Sequence, residues 1–312
     1  IFASTSEPDS EASLLVYDVS TRATTRTAFS SKLKDFRLPE SRPWWSPDGS
    51  RFAIGLGFEG QSRSIFVVPA DGSAAVELAP NNPDNFFSYS LTPNIWSPDG
   101  SHLIFVSRDP DSRVGQVWIS DAQGRNLRTL TKPLPNLCDI AWSWDGKRIA
   151  FGTSEGRSED EQQEGYVDLW VMGADGSNPH PITHGSDPAK ERRTYYMTFH
   201  WTRDDRYLMT WFTRSDDIGE RYRAFGLVDP DTEEVITVFD CQVDTSDCLY
   251  RTWYAWADSW DGQRIAYGGS RFTIRGPRGG DQQWEDERRV LSVYSIGERK
   301  TEDILVSRPA ED

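Results

Sequence analysis

WSPDG occurs at Trp45–Gly49 and again at Trp96–Gly100, and three variants of it follow along the chain. The variants are WSWDG at Trp142–Gly146, WTRDD at Trp201–Asp205 and DSWDG at Asp258–Gly262. The five copies start 51, 46, 59 and 57 residues apart. Spacings of this size are typical of one four-stranded propeller blade with loop insertions. The phrase therefore predicts a structure that repeats along the chain.

Each copy is followed by a short apolar run rich in β-branched and aromatic residues, which indicates a strand. In the turn itself, an aspartate can hydrogen bond its own backbone two residues on, and the following glycine tolerates a positive φ. These aspartates are Asp48, Asp99, Asp145, Asp204 and Asp261. Asp205 replaces the glycine in the fourth copy, and aspartate is one of the few other residues that adopts this geometry.

A second apolar segment with its own turn occurs six times, the first at Leu14–Tyr17 and the last at Leu291–Tyr294. One unit reads as strand, tight turn, strand, longer loop, strand, tight turn, strand. Ile1–Glu7 (IFASTSE) resembles Ile149–Glu155 (IAFGTSE), so we expect these residues to start inside a blade. Either a stretch before Ile1 or an unusual ring closure supplies the missing strand. The prediction is all-β: one domain over residues 1–312, forming a six-bladed β-propeller of four-stranded antiparallel blades with the first blade incomplete at the N-terminus.

The W-S-P-D-G turn, its apolar strand and a later apolar strand ending in D-G resemble the TolB-like β-propeller repeat. The clearest copies are Trp45–Ile54, Trp96–Val106 and Trp142–Phe151, with Leu169–Gly176 for the second half. The resemblance covers essentially the whole chain and implies the fold more strongly than the function. Similar propellers serve as partner-binding envelope proteins, as domains of dipeptidyl-peptidase-like and prolyl-oligopeptidase-like peptidases, and as oligogalacturonate lyases that hold a metal with several histidines.

The net charge of −15 disfavours nucleic acid and anionic membranes as partners, because both need a cationic face. No run of 18 apolar residues occurs, so no membrane span is expected in these residues. Cys241 and Cys248 bracket a polar loop and are predicted to form a disulfide if their Cα atoms come within about 7 Å. Cys138 is interpreted as a small buried apolar residue. The disulfide favours a periplasmic or extracellular location.

Strand direction alternates within a blade, so both tight turns fall on one face and the longer connections on the other. We expect function on this long-loop face, at the mouth of the central channel. Candidate partner-binding residues lie on or just before the innermost strands: Arg42, Asn94, Asp139, Tyr196, Trp253 and Tyr254.

Enzyme and metal motifs give little support for catalysis. Gly152–Gly156 matches G-x-S-x-G, but the nucleophile elbow needs a strand-to-helix turn, and here we expect an acidic loop. His200 is interpreted as a packed strand residue, and no zinc spacing is present. The acidic runs Glu159–Glu161 and Asp216–Asp217 could hold Ca²⁺, but neither has the glycine-punctuated spacing of a known Ca²⁺ loop, so we favour solvated charge. No catalytic residue, metal site or cofactor is therefore predicted.

Three functional hypotheses remain open. The first is a non-catalytic extracytoplasmic propeller that binds a protein or peptide, as part of a larger envelope assembly. The second is a carbohydrate-binding or polysaccharide-lyase-like propeller, in which Arg42, Arg192, Arg193 or Arg251 neutralises an acidic glycan. The third is a fragment or subunit of a larger protein. We favour the first hypothesis, because it requires no catalytic or metal-binding motif beyond the features that the sequence contains. A non-enzymatic role is therefore preferred.

Overall fold

The structure, a computed structural model, describes residues 2–4, 13–28, 36–37, 43–58, 64–78, 86–88, 95–109, 111–187, 192–215, 221–240, 248–250, 256–275 and 283–306. These residues form six antiparallel sheets and one short helix, Glu159–Glu164. The all-β prediction is confirmed. The helix was not expected, and it begins at a capping box in which Ser158 accepts from the backbone of Glu161 while the Glu161 side chain accepts from the backbone of Ser158.

The first three sheets follow one another along the chain. The first has the order Phe2–Ser4, Ser13–Tyr17, Thr24–Ala28. The second has the order Phe36–Arg37, Arg51–Phe58, Ser64–Pro69, Val76–Glu77, with Trp44–Trp45 also paired to Arg51–Phe58. The third has the order Phe86–Ser88, His102–Arg108, Val114–Asp121, Arg128–Thr129, with Leu134–Pro135 also paired to Val114–Asp121.

The remaining sheets repeat this plan, and the sixth has the longest strands among the described residues. The fourth has the order Cys138–Trp142, Arg148–Thr153, Asp168–Gly173, His180–Pro181. The fifth has the order Ser186–Asp187, Arg192–Trp201, Leu208–Ser215, Arg221–Val228, Val235–Asp240. The sixth has the order Cys248–Tyr250, Arg264–Arg275, Gln283–Ser295, Lys300–Val306, with Trp256–Asp258 also paired to Arg264–Arg275.

The tight turns form as the sequence predicts. In each copy a serine or threonine hydroxyl donates to the aspartate two residues later, for example Ser46 Oγ to Asp48 Oδ1 at 2.6 Å. The same aspartate accepts from the backbone N–H two residues further on, as Asp48 does from Ser50 at 3.0 Å. These bonds, led by that from Ser46, lower the pKa of Asp48 to about 2. Asp205 has a φ of 57°, which confirms that it replaces glycine in the same turn.

The chain divides into two compact units, residues 1–155 with 172–179 and residues 156–171 with 180–312. In the first unit, the outer turn of one sheet lies against the outer edge of the sheet before it. The contacts are Gly72 on Thr25 and Arg26, Gly124 on Val76 and Leu78, and Gly176 on Leu130. The inner turns repeat the same step, with Gly100 on Pro47 and Gly146 on Pro98. Each sheet of this unit is thus placed against the preceding sheet in the same way, as blades are in a propeller. We call this repeated placement the repeated step.

The cores lie between neighbouring sheets. In the first unit, a buried cluster joins the second and third sheets through Ala53, Ile65, Val67, Trp96, Leu103 and Phe105. In the second unit, an aromatic cluster joins the fifth and sixth sheets through Trp211, Phe225, Leu227, Ile265, Tyr267 and Tyr294. Large side chains, several of them aromatic, fill the wedge between the two sheets of each pair.

Candidate functional site

The connection over residues 130–137, between the third and fourth sheets, is held firmly to the sheets it joins. The Pro135 carbonyl accepts from Thr153 Oγ1 at 2.7 Å and from the Ser154 backbone N–H at 3.0 Å. Asn136 Nδ2 donates to Ser154 Oγ at 2.9 Å. The innermost strand of the fourth sheet starts directly after this connection, so its first residues sit on a fixed scaffold.

Asp139 lies at the start of that innermost strand and interrupts its register. Cys138 pairs with Gly152 and Ile140 pairs with Phe151, which leaves Asp139 as the extra residue of a β-bulge. Its φ is 35°, a conformation that few residues other than glycine adopt. Bulges redirect side chains and are common beside functional sites. The backbone is therefore distorted at the residue that the sequence predicted for the channel mouth.

The carboxylate of Asp139 is partly removed from water, and no charged group among the described residues compensates it. The residue is half-buried, and burial raises its pKa to about 6. Within the described residues, neither a hydrogen bond nor an ion pair holds this carboxylate. The neighbouring Cys138 thiol also has a raised pKa, because of burial and then because of Asp139, with Arg108 acting in the opposite direction. A desolvated carboxylate at the end of a strand is a functional-site candidate.

We expect Asp139→Asn to stabilise the protein by about 2 kcal/mol more at pH 8 than at pH 4, where its effect should be below about 1 kcal/mol. The folded-state pKa is raised from 3.8 to about 6, so folding binds a proton between these values and stability falls as the pH rises through them. Asparagine removes that cost only where the wild-type carboxylate is ionised. Urea unfolding of both proteins at the two pH values measures the difference.

Asp111→Asn is the matched control, because Asp111 is an exposed aspartate in a loop of the same unit. It makes the same change of charge, and we expect no pH-dependent gain from it. An equal gain from both variants, or a gain from Asp139→Asn that is the same at pH 4 and pH 8, would contradict the assignment of the raised pKa to Asp139.

The other predicted rim residues have different outcomes. Tyr196 is 5% exposed and its ring packs against Phe212, with 5.6 Å between the ring centroids. This burial assigns the ring to packing, and a contact between Tyr196 and a partner stays a prediction. Arg42, Asn94, Trp253 and Tyr254 lie outside the described residues.

The predicted disulfide and the glycan-binding arginines also remain predictions. Cys241 lies outside the described residues and Cys248 begins the strand Cys248–Tyr250, so their pairing is not described. Arg192 and Arg193 lie on the strand Arg192–Trp201, while Arg251 is outside the described residues. Cys138 is a free cysteine, and it is half-buried.

The G-x-S-x-G phrase has a structural role. The expectation of an acidic loop after it was wrong, since the helix Glu159–Glu164 follows Ser154 closely. Ser154 itself is fully buried and is bonded to Asn136 and to the Pro135 carbonyl. A nucleophile elbow needs its serine exposed at the tip of the turn. The serine instead fastens the 130–137 connection.

A buried ion network that sequence reasoning missed anchors the insertion over residues 156–167. The Arg157 side chain is 3% exposed and donates to Asp168 Oδ2 at 2.8 Å and to Glu161 Oε1 at 3.3 Å. Its Nη2 donates to the backbone carbonyls of Val167 and Thr194. Asp168 Oδ1 in turn accepts from Thr183 Oγ1 and from the Gly185 backbone N–H. Only an Arg followed closely by acidic residues could have suggested this network from the sequence.

This network accounts for part of the acidic run that was considered for Ca²⁺. Glu161 is bound to Arg157 and to the helix cap, whereas Glu159 and Asp160 are exposed in the first turn of the helix. Asp216–Asp217 lies outside the described residues. Across the described ranges, no three His, Cys, Asp or Glu side chains are grouped so that they could hold a metal ion. The half-buried His200 has its pKa lowered to about 4, mainly by burial.

The antiparallel sheets, the turn phrase and the repeated step define a β-propeller protein. A stretch of 94 residues is 37% identical to the Tol-Pal system protein TolB of Anaeromyxobacter dehalogenans (strain 2CP-C), covering 30% of this chain and 19% of that relative. The chain thus matches less than a fifth of the relative's length. No family model matches the sequence.

Solved structures support the same fold. A prolyl endopeptidase is similar with a TM-score of 0.59 at 14% identity, covering 96% of this chain and 39% of that one. TolB from Acinetobacter baumannii is similar with a TM-score of 0.50 at 15% identity, covering 95% of this chain and 60% of that one. Together with the local sequence match, these likenesses show a TolB-like propeller fold. Among the described residues, no helix is long and apolar enough to cross a membrane.

Proposed function

We propose that this chain is a six-bladed, single-domain TolB-like propeller that acts outside the cytoplasm and binds a protein partner through its long-loop face. The six sheets and the repeated step between successive sheets of the first unit support the blade count. The partly similar TolB relative carries the name of a Tol-Pal system protein, which supports a partner in an envelope assembly. The role is binding, without catalysis.

The observation that carries this proposal is the desolvated carboxylate of Asp139. Its ionised form is disfavoured in the free protein, as the pKa of about 6 shows. A cationic group of a partner placed beside it would favour the ionised form, so binding would relieve a cost that the free protein carries. The bulge and the fixed 130–137 connection hold this carboxylate in place before binding, which reduces the entropy lost on association.

The charge of the whole chain points to the same kind of partner. With a net charge of −15, the protein attracts cationic surfaces at long range and repels anionic ones. The partner segment proposed for the long-loop face is therefore basic. One of its lysine or arginine side chains lies beside the Asp139 carboxylate. The remaining contacts of this face are proposed at Arg42, Asn94, Tyr196, Trp253 and Tyr254.

A capture experiment with charge reversal tests the proposal. The wild-type chain and Asp139→Lys are immobilised and exposed to native envelope extract, and bound proteins are quantified by mass spectrometry. We expect a partner that binds the wild type to be captured at least about tenfold less by Asp139→Lys, because two cations then face each other. Raising the salt concentration should reduce capture by the wild type as well.

Asp111→Lys is the control, since it places the same charge change on an exposed loop of the same unit. It should capture the partner as the wild type does. If Asp139→Lys and Asp111→Lys retain the partner equally, or lose it equally, the rim around Asp139 is not the binding surface. Circular dichroism of both variants shows whether the fold is intact.

A further inference from the structure

A cavity of about 460 Å³ lies on the tight-turn side of the first unit, between the third and fourth sheets. This volume is within the range of ligand-binding pockets, about 300–1,000 Å³. Two inner turns and one outer turn surround it, and its lining includes Pro98, Asp99, His102, Ile119, Arg128, Trp142, Asp145, Ala174 and Asp175. It is on the side opposite the long connections, so it is separate from the rim around Asp139.

The second and third sheets have a gap at the position that corresponds to this cavity, and there the gap is filled by an arginine side chain. Arg51 follows the first WSPDGS phrase and reaches across to the third sheet, where its Nη1 donates to the Ala122 carbonyl at 2.9 Å. His102 follows the second WSPDGS phrase and is thus the counterpart of Arg51. Ala174 is the counterpart of Ala122, because each donates its backbone N–H to the residue in the inner turn of its own sheet, Lys147 and Ser101 respectively.

Replacement of arginine by histidine explains why the cavity is there. The imidazole is shorter than an arginine side chain, and its Nδ1 is bonded to the neighbouring Ser101 Oγ at 2.6 Å. It therefore stays beside its own turn, while Ala174 lines the far side of the cavity. Between the second and third sheets, the protein's own guanidinium group fills the gap; between the third and fourth, the gap is open to a group supplied from outside.

The two gaps also differ in the hydrogen bonding of a buried tryptophan N–H. The indole Nε1 of Trp96 donates across the second and third sheets to the Trp44 carbonyl at 2.9 Å. Trp142 is its counterpart in the next copy of the phrase, is 3% exposed and lines the cavity. Its Nε1 has no hydrogen-bond partner in the part of the chain that the structure describes. Because this Nε1 is itself buried, it is the rest of the Trp142 side chain that lines the cavity.

The charges around the cavity favour a cation. Three carboxylates line it, those of Asp99, Asp145 and Asp175, against the cationic Arg128 and the histidine. Hydrogen bonds from Ser177 are the main cause of the lowered pKa of Asp175, and the positive charge of Arg128 also lowers it. Lys147 is 3.3 Å from Asp145 but is largely exposed, so the pair is weak. Pro98, Ile119 and Trp142 supply apolar wall for the stem of a long side chain.

We propose that this cavity binds the arginine side chain of a protein partner. The guanidinium group takes the position that Arg51 occupies in the preceding gap, donating to the Ala174 carbonyl and to the carboxylates of Asp145 and Asp175. This gives the protein a second, independent binding surface on its tight-turn face.

N-acetyl-L-arginine methylamide is the probe, and its citrulline analogue, which has the same shape without the charge, is the matched control ligand. Titration followed by NMR of the indole N–H resonances, with Trp142 assigned through Trp142→Phe, measures binding. We expect the arginine probe to shift the Trp142 resonance and to bind at least about fivefold more tightly than the citrulline analogue, the upper range for an exposed ion pair.

Three variants test the site. His102→Arg places the chain's own guanidinium in the cavity and should abolish binding of the probe. Asp175→Asn should weaken it about fivefold, whereas Asp71→Asn, at the same position in the outer turn of the second sheet, should leave it unchanged. Asp71 and Asp175 make the same backbone bond two residues on, so the two variants perturb their turns alike.

The proposal is overturned if the citrulline analogue binds as tightly as the arginine probe, or if His102→Arg still binds the probe. Equal affinity of Asp175→Asn and Asp71→Asn would also overturn it. These outcomes do not depend on Asp139, so failure here is distinguishable from failure of the rim proposal.

Discussion

Arg157→Leu is expected to lower the free energy of unfolding by about 3–5 kcal/mol. The Arg157 and Asp168 side chains are 3% and 11% exposed, and their hydrogen bond is 2.8 Å long. Removing the arginine leaves a largely buried carboxylate without its cation and frees the helix Glu159–Glu164 from its anchor. Equilibrium urea unfolding, followed by tryptophan fluorescence, measures the loss.

Arg125→Leu is the control for this prediction, because Arg125 also pairs with an aspartate, at 3.3 Å, but is 71% exposed. We expect it to cost less than about 1 kcal/mol. If Arg157→Leu and Arg125→Leu lose similar free energy of unfolding, then burial does not account for the contribution of the Arg157 network to stability. A second variant, Asp168→Asn, should lose less than Arg157→Leu, because Arg157 keeps Glu161 and two backbone carbonyls as partners, whereas Arg157→Leu leaves two carboxylates without their cation.

Phe225→Ala is expected to cost about 3–5 kcal/mol through the cavity that it leaves. Phe225 is fully buried, and its ring lies 5.3 Å from that of Trp211 in its own sheet and 6.2 Å from that of Tyr267 in the next. Truncation therefore loosens the contact between the fifth and sixth sheets. Urea unfolding gives the stability, and near-ultraviolet circular dichroism reports on the aromatic packing.

Leu291→Ala serves as the comparison for Phe225→Ala, because Leu291 is a large apolar residue of the sixth sheet that is 40% exposed. It should cost less than about 1.5 kcal/mol, since only part of its surface leaves water on folding. A loss from Phe225→Ala no greater than that from Leu291→Ala would show that the aromatic cluster does not hold the two sheets together.

Much of the local structure could be predicted because it depends on neighbours in the chain. The turn at Asp48 is built from Ser46 and Ser50, two residues away on either side, and four further copies use the same pattern. The strands after the turns follow from short apolar runs. Asp205 could be placed in its positive-φ position because few residue types adopt it.

The features that distinguish one repeat from another were harder to predict. The bulge at Asp139 depends on pairing between two strands and on the fixed connection before it. Arg157 is bonded to Thr194, 37 residues away, so nothing in its local sequence shows its burial. The turn-side cavity was missed because the sequence led us to expect function on the long-loop face alone.

The amino-acid sequence by itself determined the class of fold, since hydrogen bonds within turns and the alternation of apolar strands act over a few residues and repeat with the phrase. Only the tertiary structure decided which charges are desolvated and which gaps stay open. The physical reason is that burial depends on how the sheets pack. Burial raises the pKa of Asp139 to about 6, whereas hydrogen bonds within its own turn lower that of Asp48 to about 2. Arg51 and His102 follow the same phrase. Arg51 is long enough to reach the next sheet and fill the gap, whereas His102 is shorter and leaves a cavity.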